Sequence, residues 1–157
     1  MRKSILFATL AIAVIVSACT LEDKLNTCVK QEEDIEKFIN NKYADSTVFI
    51  TDNGISRIVM AHGKGAAAQK GDSIIFSYKG YVFNNGPGAQ FAEGRMKERL
   101  GDKHLISGLD EGMVGMMAGE EAYIVFSSRY GFFDKATGAV SSMSPLIYYV
   151  TLENIYK

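Results

Sequence analysis

The residue types that most often carry catalytic chemistry are few in this chain and badly spaced. Two histidines, His62 and His104, lie 42 positions apart, and the two cysteines, Cys19 and Cys28, form no Cys-x-x-Cys pair. Closely spaced zinc ligands are therefore lacking, and neither a metal nor another cofactor is expected. No Gly-x-Ser-x-Gly elbow exposes a serine nucleophile. Carboxylates are plentiful but sit in solvated runs such as Glu32-Glu33-Asp34, with nothing that pairs two of them across a bond. The segment Gly63-Lys64-Gly65-Ala66-Ala67-Ala68 has the outline of a dinucleotide-binding turn. That turn must open a helix, yet Lys70-Gly71-Asp72 and a β-rich run follow, so the motif is rejected. An enzyme made from this chain would need a reaction that uses neither a nucleophile nor a metal.

The elements that could position such a site are legible in the pattern. Thr47–Thr51 and Ile55–Val59 flank Asp52-Asn53-Gly54 and read as a β-hairpin, with Asn-Gly at the turn. Ser73–Val82 is rich in β-branched and aromatic residues and reads as a strand; Asn84-Asn85-Gly86-Pro87-Gly88 reads as a loop. Ser107 with Asp110 fits a capping box, after which Leu109, Met113, Met116 and Met117 share one helical face and Gly119 ends the helix. Glu121–Ser127 and Leu146–Ile155 read as further strands. Strands with one central helix imply an α+β fold, an antiparallel sheet wrapped around a short helix.

The amino-terminal part has another purpose. Arg2 and Lys3 precede an uncharged apolar run, Ile5–Val16, which reads as a signal peptide. These twelve residues, all apolar but Thr9, fall short of the roughly 20 that a spanning helix needs. Val16-Ser17-Ala18-Cys19 resembles the lipobox of bacterial lipoproteins, which implies lipidation at Cys19 after removal of residues 1–18. Thr20–Thr27 then reads as a polar tether, and residues 28–43 as an amphipathic helix with Ile35, Phe38 and Ile39 on its apolar stripe. The expected division is thus a signal peptide at 1–18, tether and helix at 19–46, and one domain at 47–157. The mature chain has 15 basic against 18 acidic residues and no basic patch, so nucleic acid is not an expected partner. Cys28 has no intrachain disulfide partner once Cys19 is lipidated, and reads as a bystander near the membrane. The oligomeric state is not legible.

Gly71-Asp72-Ser73-Ile74-Ile75-Phe76-Ser77-Tyr78-Lys79-Gly80, then Phe91, then Leu105-Ile106-Ser107-Gly108-Leu109-Asp110-Glu111-Gly112 occur in that order. Met116-Met117-Ala118-Gly119-Glu120 and Ser144-Pro145-Leu146-Ile147-Tyr148 complete the series. Read together, over roughly residues 54–155, they resemble an FKBP-type peptidyl-prolyl isomerase domain. The resemblance implies an apolar bowl lined by Tyr78, Phe91, Phe132 and Tyr148, with Leu109 as its floor. It implies that Leu105 and Ile106 close one side, the Ile106 N–H holding a substrate carbonyl. It also assigns Val140, Tyr130 and Glu93 to the substrate-binding surface. Tyr78, Phe91, Ile106, Phe132 and Tyr148 would act on the twisting amide.

That reaction suits a chain without nucleophile or metal. The barrier to amide rotation is about 18–20 kcal/mol, and its planar form owes part of its stability to charge separation that water favours. A water-excluding bowl with a donor for the twisted form lowers the barrier. Two departures from the family pattern stand out: Ala92 and then Glu93 follow Phe91 where an Asp is usual, and Phe132 replaces a tyrosine. The expectation is a lipid-anchored isomerase or folding helper at the cell envelope, on the periplasmic or outer-membrane face, acting on proline-containing exported polypeptides. The alternative is a non-catalytic peptide-binding lipoprotein of an envelope assembly.

Overall fold

The computed structural model describes residues 2–157, with side chains from Thr20 onward. The signal peptide and the lipidation of Cys19 fall outside the described side chains. Among the described residues, no helix is long and apolar enough to cross a membrane.

Alternation of apolar residues along Ser73–Phe83 and Leu146–Tyr156 sends successive side chains to opposite faces, and both faces are covered. Six antiparallel strands form one sheet in the order β1-β2-β5-β6-β3-β4. They are β1 (Val48–Ile50), β2 (Ser56–Ala61), β3 (Ser73–Phe83), β4 (Pro87–Arg99), β5 (Glu121–Phe126) and β6 (Leu146–Tyr156). On one face Ile74, Phe76, Ile124, Phe126, Val150 and Leu152 are buried with Leu109, Met113 and Met116 from the segment around helix α2 (Ser107–Gly112). Full burial of side chains of this size contributes about 1.5–3 kcal/mol each. Gly108 lets α2 lie against β5, because a Cβ there would stand 2.4 Å from the Phe126 ring. The other face packs Ile58, Phe83, Val125 and Ile147 against Ile35, Phe38 and Ile39 of helix α1 (Arg2–Lys42). The amphipathic stripe on this helix thus covers the back of the sheet.

Four expectations need correction. Thr20–Thr27 is the continuation of α1 rather than an irregular tether, since the segment has neither Gly nor Pro to interrupt the helix. Cys28 is fully buried, with Sγ 3.4 Å from the Ser128 hydroxyl, so it is no bystander at the membrane. The β1–β2 hairpin forms as expected, with Val48 opposite Ile58, but Gly54 alone takes a positive φ; Asn53 does not. Helix α2 stops at Gly112 and has no capping box. The Asp110 carboxylate accepts the N–H of Gly101 at 2.9 Å, and the Ser107 hydroxyl donates to the Tyr130 carbonyl at 3.3 Å. Gly115 instead donates its N–H to Ala68, which draws the chain away from the helix axis before Met116 returns to the core. The rejected Gly63–Ala68 motif is an irregular loop followed by no helix.

Candidate functional site: an aromatic bowl over helix α2

On β3, even-numbered residues face α2, and opposed residues on β6 and β4 share that face. Tyr78 and Gly80 are therefore flanked by Val150 and Tyr148 on β6, and by Gly94 and Ala92 on β4. The β3–β4 register slips between Gly80, opposite Ala92, and Tyr81, opposite Gln90, leaving Phe91 unpaired. A bulge of this kind re-aims its extra side chain, and here the Phe91 ring meets Tyr148 edge-on at 5.7 Å.

Around that contact the aromatic wall closes. Phe91 also meets Phe132 edge-on at 6.3 Å, and Tyr148 meets Tyr78 at 6.1 Å. Phe126 stacks beneath Tyr148 at 6.0 Å with an interplanar angle of 15°. Such pairs add about 0.5–1.5 kcal/mol beyond burial and hold the rings in fixed relative orientation. Gly80 makes room for them: a Cβ on it would lie 2.7 Å from Tyr148 Cε1 and 3.0 Å from Phe91 Cζ. Burial, and then the neighbouring Tyr78, push the Tyr148 phenol well above its ordinary value.

Leu109 and Val140 are buried in the same apolar cluster, and Leu105, Ile106, Tyr130 and Phe132 are half-buried against it. Ile106 precedes the first turn of α2, where its carbonyl accepts the N–H groups of Leu109 and Asp110, both at 3.0 Å. Its own N–H donates to no group among the described residues. The residues of the expected bowl therefore form one cluster of aromatic rings and aliphatic side chains, with a backbone donor beside it.

The structure brings together Tyr78, Phe91, Leu105, Ile106, Leu109, Tyr130, Phe132, Val140 and Tyr148. Glu93 is the exception. It pairs with Lys79 on the opposite face of the sheet and accepts a hydrogen bond from Gln90 at 3.1 Å, so it neither lines the bowl nor replaces a carboxylate beside Tyr78. The bulge at Phe91 does not carry through to Glu93: pairing resumes at Ala92, and Ala92 takes the bowl-side position. Glu93 instead borders an open depression of about 580 Å³ lined by Lys79, Arg95, Tyr149 and Thr151. Sequence reasoning also passed over Phe126 and the clearance at Gly80. Both were accessible from the alternation on β5 and from the glycine closing the β3 motif.

The same region is what this chain shares with known proteins. Residues 64–153 match the family model for FKBP-type peptidyl-prolyl cis-trans isomerase. FK506-binding protein 1 of Aspergillus oryzae is 32% identical over 114 residues, covering 65% of this chain and 98% of the relative. The fold is similar to that of a peptidyl-prolyl cis-trans isomerase from Pseudomonas syringae, with a TM-score of 0.66 and 18% identity over 84% of this chain and 95% of that one. FkpA from Escherichia coli aligns with 99% of this chain and 73% of its own length, at a TM-score of 0.64 and 20% identity. A matched segment that contains β3, the bulge, α2, β5 and most of β6 places the chain in the FKBP-type peptidyl-prolyl cis-trans isomerase family.

Proposed function

We propose that this protein is a prolyl isomerase of the cell envelope, anchored through a lipid on Cys19 and acting on Xaa-Pro bonds of exported polypeptides. The observation that carries the catalytic part is the aromatic bowl with the undonated Ile106 N–H beside it. A proline ring seated among Phe91, Phe132 and Tyr148 over Leu109 leaves water and takes its amide into an apolar setting. There the charge-separated planar form loses its solvation, and the twisted amide is reached more easily. The Ile106 N–H, fixed by the turn that opens α2, holds a carbonyl of the same segment and orients it. No covalent bond is made or broken and no proton is transferred, which agrees with a site built from rings and backbone. The envelope setting rests on Arg2-Lys3, the apolar run and Val16-Ser17-Ala18-Cys19.

A second reading is favoured by two particular residues. Ala92 and Phe132 leave the bowl without the carboxylate and hydroxyl that the family resemblance leads one to expect. A bowl so stripped can hold proline-containing segments without turning them over, as a binding subunit of an envelope assembly would. Exchange NMR on one Xaa-Pro peptide separates the two readings. Line broadening of both isomers at substoichiometric protein, scaling with protein concentration, is expected of the isomerase. Saturable binding with cis–trans exchange as slow as in free peptide would establish the binding module instead.

A further inference from the structure

Helix α1 does more than cover the back of the sheet. On one stripe of it, Lys24, Cys28, Gln31 and Glu32 reach the segment between Ser127 and Met143, which carries Tyr130, Phe132 and Val140 into the bowl. Gln31 is central to this contact. Its side-chain carbonyl accepts the N–H of Ser128 at 2.8 Å, and its side-chain amide donates to the carbonyl of Met143 at 2.7 Å. One amide group therefore ties together the two ends of a loop that is 15 residues apart in sequence at those points. Around it, the Ser127 hydroxyl donates to Glu32 at 2.8 Å, and Lys24 pairs with Asp134 at 2.9 Å.

The loop needs such support. Phe133 and Met143 both adopt left-handed backbone, with φ of 51° and 57°. A bulky side chain at positive φ is disfavoured, and such residues persist where their surroundings over-determine them. The two are joined, since Met143 donates its N–H to the Phe133 carbonyl at 2.7 Å. The Met143 carbonyl is then the acceptor that Gln31 takes. Phe132, the neighbour of one strained residue, is the ring that meets Phe91. The path from α1 to the aromatic wall thus runs through three contacts, Gln31 to Met143, Met143 to Phe133 and Phe132 to Phe91, with one peptide link between Phe133 and Phe132.

We propose that Gln31 is a positioning residue for the isomerase site: it holds the Ser128–Met143 loop closed so that Phe132 and Val140 complete the bowl. The inference rests on the reading of the bowl as the isomerisation site and extends it to a residue on the amino-terminal helix. Through Gln31, the helix that follows the expected anchor becomes a component of the catalytic frame.

The test uses the full chain in detergent micelles and the variant Gln31→Met, which keeps the side-chain length and removes both hydrogen bonds. Amide hydrogen exchange across residues 128–143 should rise, while exchange in β3 and β6 stays as in wild type. Loss of two partly buried hydrogen bonds should lower kcat/KM for an Xaa-Pro peptide by about tenfold. In a double-mutant cycle with Phe132→Leu, the two losses should be strongly non-additive, because one acts through the other. Unchanged loop exchange, or simply additive losses, overturns the proposal. Absence of turnover in wild type would be a failure of the isomerase reading, and the cycle is then read from peptide Kd with the same two outcomes. A wild-type protein that neither turns over nor binds the peptide overturns both.

Discussion

At the scale of single residues, the bowl rests on a few atoms whose removal has separable effects. Ile106 has φ of −60° and ψ of 143°, a backbone that proline can adopt. Ile106→Pro therefore deletes the donor with little disturbance of the turn into α2. Loss of one preorganised donor should reduce kcat/KM by about 10²-fold, with the aromatic contacts retained; steady-state rates on an Xaa-Pro peptide check this. Ala92 lies on the bowl side of β4, opposite Gly80, next to the Gly94 that faces Tyr78. Ala92→Asp should raise kcat by about three- to tenfold at unchanged peptide Kd, if a carboxylate there strengthens binding of the twisted amide over the planar one. A thermal melt belongs with that assay, because an unpaired buried carboxylate would instead destabilise the domain. Glu93→Ala should leave the rate unchanged, since Glu93 is on the opposite face.

At the scale of elements, the strands and their alternation were legible because each apolar face had a periodic signature. Ser73–Val82 and Leu146–Ile155 needed only their pattern. The β4 strand was not legible. Gly88, Gly94 and the charges at Glu93, Arg95 and Lys97 obscure it, and its edge position leaves one side without a partner. The bulge that turns Phe91 inward follows from pairing with β3, which no local pattern encodes. The same holds for α2, where a helical spacing of methionines continued past the real end at Gly112. Inter-element contacts also govern stability. Arg57 on β2 is buried, with Nε 3.3 Å from Glu120 Oε1 and Nη1 donating to the carbonyls of Gly112 and Val114. Burial lowers the Arg57 pKa and the nearby Glu120 opposes that shift. Glu120→Ala would strand this cation and should cost about 3–5 kcal/mol in urea unfolding. Across β5 and β6, Tyr149 donates its phenol hydrogen bond to Glu121, which, with burial, pushes its pKa up to about 12. A raised folded-state pKa means this contribution is complete below the unfolded tyrosine value near 10 and is lost as pH rises through about 12. Stability should therefore fall over that alkaline window, and Tyr149→Phe should remove that part of the fall in melts recorded against pH.

At the scale of the whole molecule, two apolar stripes divide the work. The β-sheet face over α2 gathers the aromatic cluster of the proposed site, and the opposite face packs against α1. The sequence showed the second stripe at Ile35, Phe38 and Ile39 but not the contacts of Gln31 and Glu32 with a loop about 100 residues later. Such contacts depend on tertiary placement, and polar side chains on a helix surface carry no periodic signal for it. If Cys19 is the lipidated residue, the full chain should partition into detergent on phase separation, and Cys19→Ala should shift it to the aqueous phase. Mass analysis of the mature protein should find its first residue at Cys19. The central claim, that the bowl formed by Phe91, Phe132 and Tyr148 beside Ile106 speeds prolyl isomerisation, is tested most directly on a protein whose refolding is limited by one Xaa-Pro bond. Uncatalysed, that phase takes tens to hundreds of seconds. The account predicts that its rate rises in proportion to added wild-type protein and hardly rises with the Ile106→Pro variant. A slow phase unaffected by wild-type protein at any concentration would contradict it.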